Sequence, residues 1–180
     1  LIIALAGVNI AGVIWGGRMQ WLTTIVKAGF LLGVGLLPFV LIPFVSNTID
    51  VDNYSTTVTP RQTSLAGQVG TVLLAVMWAY NGWHGITPLA EEVRNPQRNI
   101  PLALLLGIGI LMALYLLANI AYHGVLSMEE MRSAGDHGAE QMLQKLLGQT
   151  GLAAMSAVIM CSTLGAINSN LLQAPRISFA

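Results

Sequence analysis

The sequence predicts an all-α membrane protein, a polytopic bundle of transmembrane helices. Hydrophobic residues make up 54% of the 180 residues and charged residues only 9%, whereas about 25% charged residues is usual in soluble domains. The mean hydropathy is +0.68. The apolar runs approach the length of about 20 residues that an α-helix needs to cross a bilayer, and they lack the shorter alternating pattern of a β-barrel.

Composition and charge also exclude several classes of protein. The net charge is zero, so no nucleic-acid partner is expected. A single cysteine, Cys161, excludes an internal disulfide and a cysteine-rich metal site, and we expect neither a metal ion nor a cofactor. The chain does not begin with methionine, and no charged region precedes the first apolar run. We therefore expect an internal piece of a longer protein, without a signal peptide.

Five transmembrane spans are predicted. Of the four connections between them, two are short and two are longer and polar. The spans are expected at residues 1–17, 21–45, 65–89, 101–126 and 151–172. The first span is expected to end in a tight chain reversal at residues 16–20, which include two glycines. The polar stretches 46–64 and 127–150 are expected to be extracellular loops, the second with one or two short amphipathic helices lying on the surface.

The second span carries the only basic residue expected at membrane depth. Lys27 follows Trp21, a residue type typical of the membrane interface, at a distance of about 9 Å along a helix axis. A charged side chain in the bilayer is costly and is often functional. The alternative is that the long stem of Lys27 carries its amine back to the interface. Pro38 and Pro43 are expected to bend or end this helix.

The third span is predicted to be discontinuous. Its middle, residues 78–85, reads WAYNGWHG, and Pro88 follows shortly after. In a helix, glycine costs about 1 kcal/mol and proline about 3 kcal/mol relative to alanine. Backbone that leaves the helix at membrane depth needs partners in protein, ligand or enclosed water, so a break indicates a polar cavity and a binding site. The alternative is a kinked helix with a packed aromatic cluster.

The last two spans differ in character. A charged loop at residues 91–101 precedes the fourth span and is either functional or an interfacial anchor, and Pro101 is expected in the first turn of that span. The fifth span is rich in small and polar residues, which either line a site or permit close helix packing. These residues are Ser156, Ser162, Thr163, Gly165, Asn168, Ser169 and Asn170.

The basic residues of the loops predict the orientation. With the reversal at residues 16–20 in the cytoplasm, four arginines lie on the cytoplasmic side and three basic residues on the other. This imbalance follows the positive-inside rule. The first set is Arg18, Arg94, Arg98 and Arg176, and the second is Arg61, Arg132 and Lys145.

Several stretches resemble amino acid permeases of the amino acid–polyamine–organocation superfamily, in particular the L-type amino acid transporter branch. Residues 78–83 (WAYNGW), followed by residues 91–101 (EEVRNPQRNIP), resemble the sixth helix and the loop after it. Residues 162–170 (STLGAINSN) resemble the eighth helix, and residues 17–27 resemble the passage from the fourth helix to the fifth. The resemblance covers essentially the whole chain and implies that it contains helices four to eight of a twelve-helix transporter.

The resemblance also implies a fold and a substrate site. The family's fold is a pair of inverted five-helix repeats, whose first and sixth helices are unwound halfway and together hold the α-carboxylate and α-amine of an amino acid. Trp78 matches the aromatic residue that closes over the substrate from outside. Residues 79–81 match the unwound backbone whose carbonyls receive the α-amine, and residues 82–83 match the pocket for the substrate's side chain. His84 replaces a common asparagine and Asn81 a common glycine. The substrate-binding residues implied are Trp78, Ala79, Tyr80, Asn81, Gly82, Trp83 and His84.

A second implied site surrounds Lys27. Members of the family carry a lysine on the fifth helix whose amine occupies the place of a sodium ion in sodium-coupled relatives of the same fold. Ser162 and Thr163 match the eighth-helix positions that bind the ion in those relatives, so the amine is expected near them. The resemblance therefore implies transport that does not require sodium, by exchange or with proton coupling.

Together these features predict a secondary active transporter of amino acids in the plasma (cell inner) membrane, working by alternating access. Its expected partners are the amino acid substrate, membrane lipid and the helices that the present chain lacks. Polyamines or other organic cations are the alternative substrates. A membrane-embedded enzyme is disfavoured because no Asp or Glu falls inside a predicted span and His84 and His123 lie in different spans. A channel is disfavoured because one broken helix does not make a symmetric filter.

Overall fold

The computed structural model describes residues 7, 13–45, 48–55 and 64–179, and within these ranges every regular element is helical. The α-helices are α1 (Val13–Leu41), α2 (Leu65–Ala79), α3 (Pro96–Val125), α4 (Met128–Ala134), α5 (Gly138–Leu147) and α6 (Gln149–Phe179). Three 3₁₀ helices cover Val51–Tyr54, Trp83–Glu92 and Gly135–His137. The predicted all-α class is confirmed.

Three of the described helices are long and apolar enough to cross a membrane. They contain the segments Trp15–Leu41, Pro96–Val125 and Gln149–Ala174, which correspond to the second, fourth and fifth predicted spans. The first predicted span, residues 1–17, falls largely on residues outside the described ranges. The third, residues 65–89, stays a prediction as a span, because α2 has 15 residues and is followed by a different helical geometry.

The chain reversal predicted at residues 16–20 is wrong, because α1 continues without interruption from Val13 to Leu41. The guanidinium of Arg18 lies over the ring of Trp15, 5.3 Å from its centroid, as helical neighbours do. Glycine is costly in a helix, but Gly16 is buried and its carbonyl accepts a hydrogen bond from Asn168 of α6 at 3.1 Å. Gly16 therefore lies at a close approach between helices.

The prediction that Pro101 lies in the first turn of its helix is also wrong, because α3 begins at Pro96. Pro96 takes the first helical position, where a missing N–H costs nothing. The carbonyl of Asn95 accepts hydrogen bonds from the N–H groups of Arg98 and Asn99 at 3.1 and 3.0 Å. Pro101 lies in the second turn, where it removes one intrahelical hydrogen bond, and α3 continues through it.

The chain divides into two compact units. One comprises the described residues of Leu1–Ser55 and Met112–Ala180, and the other those of Thr56–Leu111. The first unit therefore holds α1, the second half of α3, and α4 to α6, and the second unit holds α2, the 3₁₀ helix Trp83–Glu92 and the first half of α3.

The core of the first unit is formed by apolar side chains of α1, α3 and α5, with α6 packed against them. Its buried members are Val34, Ala121, Val125, Leu126, Met142 and Leu143. Met142 and Leu143 are 0% and 2% exposed, and burying such side chains stabilises a fold by about 1.5–3 kcal/mol each. The two short helices predicted within residues 127–150 are thus present as α4 and α5, and α5 turns its apolar face towards the bundle.

Polar groups from two segments cover the carboxyl end of α3. The N–H of Asp50 donates to the carbonyl of Gly124 and the hydroxyl of Tyr54 to the carbonyl of Ile120, both at 2.8 Å. From α5, the ammonium of Lys145 donates to the carbonyl of Val125 at 2.9 Å. The carbonyls of Gly124 and Val125 are among the last four of α3 and have no partner within the helix, and together with the Ile120 contact these bonds attach residues 48–55 and α5 to α3.

Candidate functional site

The first candidate site, in the second unit, is the break after α2. Ser64 caps the start of α2, since its hydroxyl accepts the N–H of Gly67 at 3.1 Å. The helix ends at Ala79, and Gly82 has φ +112° and ψ −7°, a conformation that residues with a side chain rarely adopt. The predicted discontinuity is therefore present, and the chain resumes as a 3₁₀ helix at Trp83.

Two backbone hydrogen bonds of three-residue span define the turn between the helices. The N–H of Asn81 donates to the carbonyl of Trp78 at 3.3 Å, and the N–H of Gly85 donates to the carbonyl of Gly82 at 3.0 Å. Both bonds span three residues, whereas an α-helix bonds across four. The α-helical ladder is thus interrupted at the position where the predicted substrate site lies.

The aromatic side chains at the break are largely exposed within this chain. Trp78 is 81% exposed and Trp83 61% exposed. The rings of Trp83 and His84 meet edge to face, with 6.0 Å between centroids and an angle of 85° between planes. Within this chain the rings therefore form one edge-to-face pair, and the alternative of a packed aromatic cluster stays open. All seven residues predicted to bind the substrate lie between the last turn of α2 and the first turn of the following 3₁₀ helix.

The second candidate site, in the first unit, is a polar seam where α1 and α6 run antiparallel. The amide of Asn168 is fully buried, donates to the carbonyl of Gly16 at 3.1 Å and lies 3.4 Å from Oε1 of Gln20. Further along, a methyl group built on Gly165 would lie 2.7 Å from Oγ1 of Thr23 and 3.2 Å from Nζ of Lys27. Glycine at position 165 thus lets both side chains approach α6 closely.

The amine of Lys27 therefore reaches across to α6. The residue also lines a cavity of about 230 Å³, in which Lys27, Tyr122 and Ser162 are the polar lining residues among mainly apolar ones. The alternative, an amine that returns along its own helix towards the interface near Trp21, stays open, because Thr23, one turn nearer Trp21, approaches the same Gly165. The structure brings Lys27 and Ser162 to one cavity, as predicted by their expected proximity.

Thr163 is not part of that cavity. Its side chain is exposed, and its hydroxyl donates to the carbonyl of Ile159, on its own helix, at 2.9 Å. The predicted proximity of Lys27 thus extends to Ser162 and not to Thr163. The physical reason is helical geometry, because consecutive residues of a helix point in directions about 100° apart and only one of them faces α1.

Thr23 and Tyr122 take part in this site without having been predicted to. Thr23 is 5% exposed and its hydroxyl donates to the carbonyl of Gln20 at 3.0 Å. A sequence signal for Thr23 exists, since Gly16, Gln20, Thr23 and Lys27 recur at spacings of three and four, which marks one face of a helix. No comparable signal distinguishes Tyr122 from the other polar residues of α3.

A polar cavity of about 450 Å³ lies where residues 48–55 meet α4 and α5, and its lining includes Asp50, Glu130 and Lys145. The carboxylate of Glu130 accepts the N–H of Ser127 at 2.7 Å and the ammonium of Lys145 at 2.9 and 3.0 Å. The Ser127 hydrogen bond, followed by the contact with Lys145, lowers the pKa of Glu130, while partial burial opposes this. Within the described ranges, no cluster of three His, Cys, Asp or Glu side chains could hold a metal ion.

The chain is similar to known transport proteins over its whole length. The amino acid permease family matches residues 1–180. The chain is 31% identical over 179 residues to the serine/threonine exchanger SteT of Bacillus subtilis (strain 168), a match that covers 99% of this chain and 39% of the exchanger. It is 31% identical over 134 residues to b(0,+)-type amino acid transporter 1 of Rattus norvegicus, covering 72% of this chain and 26% of the transporter.

A third relative is the cystine/glutamate transporter of Homo sapiens, which is 27% identical over 173 residues, covering 95% of this chain and 33% of the transporter. The chain thus spans less than two fifths of the length of each of these relatives. No solved structure gives a significant match.

Proposed function

The chain belongs to the amino acid permease family, and we propose that it is part of a secondary active transporter that carries amino acids across the membrane by alternating access. The family match, the similarity to amino acid transporters and exchangers, and three apolar helices make it part of a multi-pass membrane protein. The observation that carries the proposal further is the break between Ala79 and Trp83. Interrupted helices in membrane transporters provide backbone groups for charged substrates.

In this proposal the break binds the amino acid. The carbonyls of residues 79–81 receive the α-amine, and Gly82, Trp83 and His84 form the pocket for the side chain. Trp78 closes over the bound molecule. The interrupted hydrogen-bond ladder and the exposure of both tryptophans support these roles, because backbone that leaves a helix at membrane depth needs polar partners, and a ligand can be one of them.

The seam between α1 and α6 supplies the second part of the proposal. The ammonium of Lys27 takes the place of a sodium ion, so that transport proceeds without sodium, by exchange or with proton coupling. Its support is the closeness of Nζ to Gly165 and the cavity that Lys27 shares with Ser162. A fixed positive charge there performs the electrostatic role of a bound cation. For Thr163, the only support for a place in this site is the resemblance of residues 162–170 to the family's eighth helix.

The proposed topology has five spans, corresponding to helices four to eight of a transporter with two inverted repeats, but the boundary between the first two is no longer placed at residues 16–20, where α1 is continuous. Residues 46–64 and 127–150 lie outside the cell, residues 91–101 lie in the cytoplasm, and the protein resides in the plasma (cell inner) membrane. The three apolar helices and the full-length family match support this arrangement.

Uptake measurements test the proposed function. The full-length protein in liposomes should take up a radiolabelled amino acid with saturation, and the Trp78→Ala variant should lose most of this uptake while remaining inserted. Trp78 is exposed within this chain, so its loss removes closure rather than core packing. Trp21→Ala is the matched control, since Trp21 is an exposed tryptophan of α1 at 68% exposure and should retain uptake.

Two results would refute this assignment. Flux that rises without saturation would indicate a channel, and a chemically altered product would indicate an enzyme. Full uptake per inserted molecule by Trp78→Ala would show that this ring does not close the site.

A further inference from the structure

One polar side chain of α6 is completely buried against α1. Asn168 is 0% exposed, and its amide nitrogen donates to the carbonyl of Gly16 at 3.1 Å and lies 3.4 Å from Oε1 of Gln20. Gly16 and Gln20 are four residues apart, about one turn of α1. The amide of Asn168 is therefore held by two successive turns of the neighbouring helix.

Three other polar side chains of α6 bond to their own helix instead. The side chains of Ser156, Thr163 and Asn170 are exposed, and each donates to the carbonyl four residues earlier, at 3.0, 2.9 and 3.0 Å. Bonds of this kind place no constraint on a neighbouring helix. Asn168 differs from these three residues because it ties α6 to α1.

The buried amide of Asn168 is suited to fixing the register of the two helices. A buried N–H group that loses its acceptor costs free energy, and almost all such groups in folded proteins are paired. A slide of α6 by about 3 Å, the rise of two residues, would take the amide nitrogen out of hydrogen-bond range of Gly16. Apolar contacts are not directional and oppose such a slide less. In coiled coils, a single buried asparagine specifies register in this way.

The same register determines what surrounds Lys27. Gly165 lies about one turn before Asn168 on α6. A methyl group built on Gly165 would lie 2.7 Å from Oγ1 of Thr23 and 3.2 Å from Nζ of Lys27. A slide of α6 that breaks the Asn168 hydrogen bond would therefore also move Gly165 away from the amine.

We propose that Asn168 is a positioning residue, whose amide fixes the register of α6 against α1 and so holds the ammonium of Lys27 at Gly165. This inference rests on the proposed role of the Lys27 ammonium in transport, and it adds the group that keeps the ammonium in place. Asn168 acts here through Lys27 and not through contact with the amino acid.

Disulfide cross-linking of α1 to α6 in the full-length, membrane-inserted protein measures the register directly. Thr23→Cys and Gly165→Cys are combined in a Cys161→Ser background, which removes the natural thiol. A Cβ built on Gly165 would lie 3.0 Å from Cβ of Thr23, and the Cβ atoms of a disulfide lie about 3.5–4.5 Å apart. A small outward adjustment therefore suffices, and the pair should cross-link when copper phenanthroline is added.

Asn168→Leu has a side chain of similar size without a donor. Adding it to the cysteine pair should lower the initial rate of cross-linking about tenfold, a factor that the loss of one hydrogen bond can produce. Asn170→Leu is the matched control, because the amide of Asn170 is exposed and bonds to the carbonyl of Ala166 on its own helix. This control should leave the cross-linking rate unchanged.

Asn168→Ser provides a second variant should Asn168→Leu fail to insert. A serine hydroxyl within a helix can bond to the carbonyl four residues earlier, as that of Ser156 does here. Asn168→Ser should therefore release Gly16 while keeping a small polar side chain, and it should also slow the cross-linking.

Uptake kinetics distinguish positioning from a merely structural role. Without the added cysteines, Asn168→Leu should lower the maximal uptake rate per inserted molecule about tenfold and leave KM unchanged, because the residues assigned to the substrate lie on other elements. An asparagine needed only for folding would instead reduce the amount of inserted protein, with both values per inserted molecule unchanged. Asn170→Leu should match the wild type.

An unchanged cross-linking rate in an inserted Asn168→Leu or Asn168→Ser variant would overturn the proposal, even if uptake fell. Absence of the cross-link while Asn168 is intact would do the same. Slower cross-linking with an unchanged maximal uptake rate would show that the register does not serve Lys27. The cross-link requires no transport, so failure of the register and failure of the transport function are distinguishable.

Discussion

Replacing Gly165 by alanine should weaken the contact between α1 and α6. The added methyl group would lie 2.7 Å from Oγ1 of Thr23, which is a steric clash. It would lie 3.2 Å from Nζ of Lys27, where the end of the flexible lysine side chain can move aside. Thr23 is held in place, because its hydroxyl donates to the carbonyl of Gln20 and its side chain is buried. Relief of the clash must therefore break that bond or separate the helices.

The net effect follows from two opposing quantities. Overpacking of a tightly packed site costs about 1–3 kcal/mol, whereas alanine in place of glycine within a helix contributes about 1 kcal/mol of stability. Gly165→Ala should thus be destabilised by up to about 2 kcal/mol. Gly33→Ala is the matched control on α1, since nothing lies within 4 Å of its added methyl group, and it should gain up to about 1 kcal/mol.

The assay is reversible unfolding of the full-length protein in mixed detergent micelles, with both variants compared with the wild type. Gly165→Ala should fall below Gly33→Ala by about 1–3 kcal/mol in free energy of unfolding. Equal stability of the two variants would show that Gly165 does not face Thr23 and Lys27. The close contact of α1 with α6 would then be wrong.

Two further predictions concern pH and topology. The pKa of Glu130 is lowered in the folded protein. Its contribution to stability is therefore complete above the usual carboxyl pKa and is lost as pH falls through the lowered value. Glu130→Gln should remove this part of the pH dependence of the free energy of unfolding, and an unchanged pH dependence would contradict the Ser127 and Lys145 contacts. Cysteines at Asp52 and Arg98 in the full-length protein should react with impermeant reagents from opposite sides of the membrane, and labelling of both from one side would refute the proposed orientation.

The fold class and the helix break were predictable from the sequence because they depend on local chemistry. Long apolar runs have one stable form in a bilayer, and the polar and glycine residues at 81–85 with Pro88 lower the local preference for a helix. The break at residues 80–82 therefore lies where the sequence predicts it. The two short helices at residues 128–147 follow from amphipathic pattern in the same way.

The errors arose where tertiary contacts decide the outcome. The sequence predicts a turn at Gly16, but the partner of its carbonyl is Asn168, which is 152 positions away in the sequence. A glycine permits either a turn or a close helix approach, and only the partner distinguishes the two. Thr163 and Ser162 are adjacent and chemically similar, so sequence cannot tell which of them faces Lys27. Tyr122 lines a cavity that forms only when α1, α3, α5 and α6 are assembled.

The most direct test of the account is uptake of a radiolabelled amino acid by the full-length protein with sodium replaced by choline. We expect the wild type to keep its uptake without sodium, because the ammonium of Lys27 lies against α6, where we propose that it acts as a fixed cation. Lys27→Ala should lose uptake while remaining in the membrane. Strict dependence on sodium in the wild type, or full uptake by Lys27→Ala, would contradict the role given to this residue.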